Sequence, residues 1–397
     1  MAGTLIHLGE NAYRLQVSAG TDGNGKRIRH SRNITASSDR EAEKQLALFV
    51  SEVERGVITN NPKITFKELT EIYLQDQAEH QLAPKTLFRY KQLLDTRILA
   101  ALGNVKLDKL TPTHLLKFYT SLRKPGARQD GITDRGLSER SILHHHRLIH
   151  TLLTTAVQWG YLSTNPADRC KAPRVPRKEA ASYSQEEVNL LLEAAASEPF
   201  KYRLLILLAI GTGARQGELM ALEWQHIDFD TGTIKIEQAS QYLPKRGTFT
   251  KSTKNNTVRT VQVPLMVIEA LKAYRHEQNI ERLKLGSLWQ AGNRIFVSET
   301  GRPMYPSTMS SWFPKFLRRH KLRHLPFHGL RHTSASLLIA QGATSVDLSK
   351  RLGHSTTTTT MNIYAHSFEK ADSELSQKMD TILSNKSTKT RVHKGGG

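Results

Sequence analysis

The chain has 397 residues, enough for two or three domains, and carries 57 Lys and Arg against 36 Asp and Glu, a formal charge of +21. That excess points to a polyanionic partner and leaves the fold open. No run of about 18 apolar residues suggests a membrane span, the opening MAGTLIHLGENAYRL lacks the pattern of a secretion signal, and the single Cys170 excludes an internal disulfide and fits a reducing cytoplasm.

Residues 1–60 read as a small module of their own. AYRLQVSAG and KRIRHSRNI alternate around the turn TDGNG, which predicts a β-hairpin, and a helix follows from about Asp39 to Arg55. Arg14, Lys26, Arg27, Arg29 and Arg32 crowd the strands, opposed only by Asp22. A basic sheet backed by a helix is expected to lay its strands in a DNA groove, although a solvated hairpin would show the same pattern.

NNPK (60–63) reads as a linker. Residues 64–172 then have helical spacing throughout, with helix starts at Thr65, at Thr111 followed by Pro112, and at Ser138. Basic residues outnumber acidic ones two to one between 61 and 178, which suits a clamp on phosphates. Lys85, Arg89, Lys91, Arg140 and Arg147 are the candidate contacts. His144, His145 and His146 are adjacent, so a helix would aim them in different directions; they read as surface and groove residues rather than metal ligands.

RCKAPRVPRKEAAS (169–182), with its prolines and basic residues, marks an extended connector. Residues 173–385 form a mixed region. An apolar helix, KYRLLILLAIG, leads into GTGARQGELMALEW; the strands GTIKIEQA and VRTVQVP follow, then further helices to about Leu383. Residues 386–397 are polar and are expected to be disordered. TTTTT (356–360) is compositional only.

The polar motifs are weak singly. Arg215 in TGARQGEL could simply pair with Glu218 across one turn. In HGLRH, His328, Arg331 and His332 stand at i, i+3 and i+4, so a helix would align them on one side. His328 and His332 have the spacing of a zinc pair, but the glutamate of HExxH is missing and Arg331 would repel a cation, so no metal is expected.

Order and spacing together say more. Arg215 sits at a Gly-rich turn after an apolar helix, Lys254 lies between two predicted strands, HGLRH comes some 75 residues later, and LGH (352–354) precedes Tyr364 of NIYAH. In these motifs the chain resembles the tyrosine recombinases of the phage and conjugative-transposon integrase family, over nearly its whole length. The resemblance implies a multidomain α+β protein: a basic sheet-and-helix module for arm-type DNA sites, an all-α SAM-like core-binding domain, and a mainly α catalytic domain with a small antiparallel sheet.

It also implies roles. Tyr364 would attack a DNA phosphodiester and form a 3′-phosphotyrosyl link, releasing a 5′-hydroxyl. Arg215 and Arg331 would hold the non-bridging oxygens, His328 and His354 would complete the cage, and Lys254 would protonate the departing oxygen. Lys251 is the other lysine within reach of the hairpin tip, but Lys254 fits the spacing better. Glu218 would orient an arginine, and His332 would support the site structurally.

Physical chemistry agrees with that assignment. A reacting phosphodiester gathers negative charge, guanidinium forks match its paired oxygens, and forks already in place need no reorganisation. A phenol with an ordinary pKa of about 10 needs a positive field or a base, and the Arg and His cluster could supply either. The helix start at HGLRH is therefore expected to be an anion site in which backbone N–H groups and Arg331 face one phosphate. One ester is exchanged for another, so neither ATP nor any other cofactor is expected.

The resulting expectation is a site-specific integrase that inserts and excises a mobile element. It would act on double-stranded DNA as a homotetramer, with accessory directionality or DNA-bending factors as further partners. The amphipathic stretch FEKADSELSQKMDTIL (368–383) would dock onto a neighbouring protomer. A type IB-like topoisomerase and a catalytically idle DNA-binding regulator are the alternatives. The extra N-terminal module disfavours the first, and the full set of competent residues disfavours the second.

Overall fold

The computed structural model describes residues 3–21, 25, 27–54, 64–176, 180–253, 257–290 and 292–386. The chain divides into two compact units, Met1–Arg177 and Lys178–Gly397.

In the first unit, β2 (Ala12–Thr21) pairs antiparallel with both β1 (Gly3–Gly9) and β3 (Arg27–Thr35). The β2–β3 pairing is the expected hairpin. β1 was not legible, because in TLIHL apolar residues stand side by side on an edge strand instead of alternating. Tyr13, Leu15 and Val17 turn their side chains to α1 (Asp39–Glu54), where Ala42, Phe49 and Val53 close a small core.

The same register sets one of the expected DNA contacts apart from the others. Leu15 stands opposite Arg32, so Arg32 shares the helix-facing side. Its guanidinium donates to Glu52 at 2.8 Å and lies 4.7 Å from the centre of the Phe49 ring. Arg14 and Arg29, opposite Asn33 and Ser18, occupy the other face; Arg27 is exposed at the strand end. Lys26 lies outside the described residues.

The helical region opens at α2 (Phe66–Tyr73), where Thr65 and Glu68 cap each other reciprocally. α3 (Pro84–Leu93), α4 (Pro112–Arg123) and α5 (Glu139–Gln158) follow, the last capped by Ser138. Phe66, Leu69, Leu94, Ile98, Leu115 and Ile142 belong to their common core. Cys170 is buried beside it as a free thiol. Here the histidine run departs from expectation. His144 is exposed, but His145 and His146 are buried, bonded to the Ser141 carbonyl and the Tyr119 hydroxyl.

Lys85, Arg89, Arg140 and Arg147 are all exposed. Burial lowers the pKa of His144, and Arg147, Arg89 and Arg140 lower it further, so these cations converge around one histidine. Lys91 is instead tied to Glu79 at 2.7 Å.

In the second unit, α6 (Gln185–Ala195) precedes α7 (Phe200–Thr212), whose residues Leu204–Ala209 are buried without a break. A helix apolar all round must lie centrally, and α7 does. After α8 (Gln216–Leu219) come β4 (Ile227–Asp228), β5 (Thr233–Ile236), the hairpin of β6 (Gln238–Leu243) and β7 (Gly247–Ser252), and β8 (Arg259–Gln262). They form a β4-β5-β8 sheet and a separate β6-β7 ribbon. The ribbon escapes sequence reading because its YLPKRG turn places Lys245, as well as Gly247, at positive φ, and a lysine gives no turn signal.

α9 (Leu265–Leu285) and α10 (Thr308–Arg319) lead to α11 (Gly329–Ala340), α12 (Ser345–Leu352) and α13 (Thr357–Lys386). The threonine run is not merely compositional: it starts α13, with Thr356 bonded to Thr359 and Thr360 fully buried. Lys386, expected in the polar tail, is the last residue of that helix; residues 387–397 lie outside the described residues. Among the described residues no helix is long and apolar enough to cross a membrane.

Gly213 closes α7 in the left-handed conformation, φ +64°, and an added Cβ would lie 2.6 Å from a Leu352 methyl. Gly213→Ala therefore combines backbone strain with overpacking and should cost about 2–4 kcal/mol of stability, read by urea unfolding.

Candidate active site

Three chain reversals bring the polar residues together. The first follows α7. Past Gly213 the backbone places Arg215 at the start of α8, where Glu218 accepts from its main-chain N–H at 2.9 Å and from its guanidinium at 2.8 Å. Glu218 is only 2% exposed. Burial pushes its pKa up, but Arg259 and Arg215 outweigh burial and hold it below the usual carboxylate range.

The second is the turn entering α11, and it corrects the expected anion cradle. The N–H groups of Gly329, Leu330 and Arg331 donate to the carbonyls of Pro326, Phe327 and His328. A tight turn thus consumes the donors that a bare helix start would offer. What remains is the Arg331 side chain, 3% exposed, donating to Gly213 O at 2.7 Å and Leu352 O at 2.9 Å. Both carbonyls belong to helix C-terminal ends, where a cation is favoured. Two of five N–H donors are used there. Burial lowers the Arg331 pKa to about 10, with Arg215 adding to the effect, so it stays charged at neutral pH.

The third is the Gly353 turn after α12, which delivers His354. Its Nδ1 lies 2.7 Å from the Thr360 hydroxyl. Burial, then Arg331, Arg215, Arg259 and His332, lower its pKa to about 4.

Tyr364 lies within α13 at a break from helical geometry, φ −114° and ψ 15°. Its ring is 3% exposed and packs with Ala335, Ile339, Leu348 and Leu352. Its hydroxyl is 2.9 Å from His332 Nδ1, and the His332 ring in turn meets His328 edge-on at 5.2 Å. Burial raises the Tyr364 pKa to about 12, while Arg331 and Arg215 pull it down. Burial, His328 and Arg331 lower His332 to about 4; burial, Arg331 and Arg215 lower His328 as well.

Arg215, His328, Arg331, His332, His354 and Tyr364 therefore share one cluster. Lys254 lies outside the described residues; Lys251 is half-buried on β7. Sequence reading gave His332 a supporting place, yet it touches the phenol directly. It missed Thr360, hidden in a low-complexity run, and Arg259, whose lone signal is a cation heading the apolar strand VRTV. Among the described residues, no three His, Cys, Asp or Glu side chains converge as a metal site.

The depressed histidines set the sign of a pH effect. His332 and His354 bind protons near pH 4 when folded but near pH 6.5 when unfolded. The unfolded chain thus holds more protons between those values, and stability falls as pH drops from about 6.5 to about 4. Urea unfolding at a series of pH values should show this slope, and it should be shallower in His354→Gln.

Residues 182–371 match the phage integrase family, and residues 65–123 match the phage integrase N-terminal SAM-like domain. The XerC-like tyrosine recombinase of Caldanaerobacter subterraneus subsp. tengcongensis is 28% identical over 394 residues, covering 94% of this chain and 97% of its own. The ICEBs1 integrase of Bacillus subtilis is 25% identical over 372 residues, covering 94% and 97%. Among solved structures, the Tn1549 transposon integrase bound to a circular intermediate DNA superposes with a TM-score of 0.65 at 19% identity, over 79% of this chain and 99% of that one. A lambda integrase tetramer on a Holliday junction gives 0.54 at 19%, over 89% and 92%. The fold is thus that of the DNA-cutting tyrosine integrases. The chain belongs to the phage integrase family of tyrosine recombinases, enzymes that cleave and rejoin DNA.

Proposed function

We propose that this protein is a site-specific integrase that inserts and excises a mobile element through a 3′-phosphotyrosyl intermediate, with Tyr364 as nucleophile. The observation that carries the reading is the Tyr364 hydroxyl on His332 within a cluster holding Arg215 and Arg331. In the cleavage step the phenol oxygen attacks phosphorus, its proton passes to neutral His332, and the bond to the 5′-oxygen breaks. Lys254 returns a proton to that oxygen. Arg215 and Arg331 stabilise the extra charge on the phosphoryl oxygens, with His328 and His354 beside them. Burial is the main cause that depresses His332, and a phosphate arriving among these cations offsets the smaller part due to the positive field, which makes that imidazole a better base.

The similar ICEBs1 integrase and Tn1549 transposon integrase, by their names, support the mobile-element role. Exchange between two duplexes needs four strand cuts and hence four protomers, and the lambda integrase tetramer supports that count. Arg14, Arg27 and Arg29 on the sheet module would bind arm-type DNA, Lys85, Arg89, Arg140 and Arg147 the core site. The protein would work in the cytoplasm, aided by directionality or bending factors.

The deciding experiment incubates the protein with nicked duplex from the element's ends, denatures it and seeks a covalent adduct. Mass spectrometry should find the nucleotide on Tyr364; no adduct, or one on another residue, overturns the proposal. Binding should also weaken steeply with salt: with about ten phosphates contacted per protomer, log Kd against log salt should have a slope of magnitude near 9. A flat response in a filter-binding titration would remove the phosphate clamp.

A further inference from the structure

Arg259 has no part in the roles above, yet it touches two of the three reversals that build the site. It heads β8 and is 8% exposed. One arm of its guanidinium donates to Glu218 Oε2 at 2.6 Å, and its Nε donates to the Arg351 carbonyl at 2.9 Å. Glu218 is the carboxylate that grips both the main chain and the guanidinium of Arg215. The Arg351 carbonyl directly precedes Leu352, whose own carbonyl receives Arg331, and then Gly353 and His354.

The backbone is shaped to admit this side chain. Gly353 is left-handed at φ +66°, and a Cβ there would fall 2.9 Å from an Arg259 terminal nitrogen and 3.1 Å from its Cδ. A planar fork has the directed donors to hold a carboxylate and a carbonyl at once; an ammonium is a single point charge.

We infer that Arg259 is a positioning residue for strand cleavage, fixing Arg215 through Glu218 and the 351–354 turn through the Arg351 carbonyl in one rigid frame. The inference rests on the reading of Tyr364 as nucleophile of a cleavage reaction. If Arg259 merely neutralised buried Glu218, any cation would serve, and lysine would restore activity.

The test compares wild type, Arg259→Gln and Arg259→Lys in single-turnover cleavage of a nicked duplex and in DNA affinity, and follows the His354 ring titration by NMR in the free proteins. Arg259→Lys keeps the charge and most of the stem, so it guards against simple unfolding of the glutamine variant. Both variants should cleave roughly 10–100-fold more slowly with affinity for DNA unchanged. In both, the His354 midpoint should rise from its depressed value as the turn loosens. Full activity in Arg259→Lys, or a His354 titration unmoved in either variant, overturns the inference. A wild-type protein that forms no adduct overturns the proposed function instead, and the His354 titration in Arg259→Lys, which keeps the charge, then reads only whether Arg259 frames the 351–354 turn.

Discussion

Tyr364→Phe should bind DNA as tightly as wild type and leave no covalent adduct, a loss of about 10⁴-fold or more in cleavage. The substitution removes one oxygen and little else. The ring would keep its packing against Ala335, Ile339, Leu348 and Leu352, so the fold around it survives. His332 loses its phenol partner but is itself neutral at pH 7, so no charge is stranded. The loss therefore reads the nucleophile and not the scaffold. Denaturing gels on a nicked duplex measure the adduct, and gel shift measures affinity. An adduct of wild-type yield in the phenylalanine variant would move the nucleophile elsewhere and end the assignment of Tyr364.

The resting geometry sharpens that prediction. At 3% exposure and with a pKa raised to about 12, the phenol of the free protein is a protected alcohol, not a poised phenolate. Burial is the dominant cause, and Arg331 and Arg215 only soften it. Reaction thus requires a phosphate to meet the hydroxyl. The non-helical backbone at Tyr364 marks where α13 departs from regular geometry beside that hydroxyl. The amphipathic stretch 368–383 lies on the helical part of α13 beyond that break.

How much of this was legible depended on the range of the interaction that fixed each feature. The β2–β3 hairpin and α1 follow from alternation, a turn and a helix start, all local signals. The polar residues of the site could be picked out by order and spacing, since Arg215, HGLRH and LGH each sit at a turn marked by glycine. Orientation was not legible. Arg32 reads as one of several strand arginines, and only the register with Leu15 turns it toward Glu52 and Phe49. His145 and His146 look like surface residues because nothing nearby in sequence announces Tyr119. Arg259 reaches Glu218 and Arg351 across long stretches of chain, so no window of sequence could pair them. The expected anion cradle at α11 failed for a different reason: the preceding turn satisfies its N–H groups locally, a detail of backbone geometry that composition does not encode.

Arg331 is expected to carry the second large effect, because the proposed mechanism asks chemistry of the N–H donors that its two helix-end carbonyls leave free. Arg331→Ala should slow single-turnover cleavage by about 10²–10³-fold, the usual cost of losing one charge-stabilising donor. It should also lower stability by about 1–3 kcal/mol, since the Gly213 and Leu352 carbonyls at two helix ends lose their donor. Arg331→Lys separates the two. A lysine keeps the positive charge near the phosphate but, as a point donor, reaches at most one of those carbonyls well. It should therefore recover part of the stability while cleavage stays more than about tenfold down, because the fork that pairs with two phosphoryl oxygens is gone. Urea unfolding and cleavage rates on the same preparations decide the matter. If Arg331→Lys cleaved like wild type, point charge alone would suffice and the bidentate phosphate contact would be withdrawn. If Arg331→Ala lost stability but kept its cleavage rate, the residue would be a helix-end clasp, and the charge facing the reacting phosphate would have to come from Arg215 and the histidines.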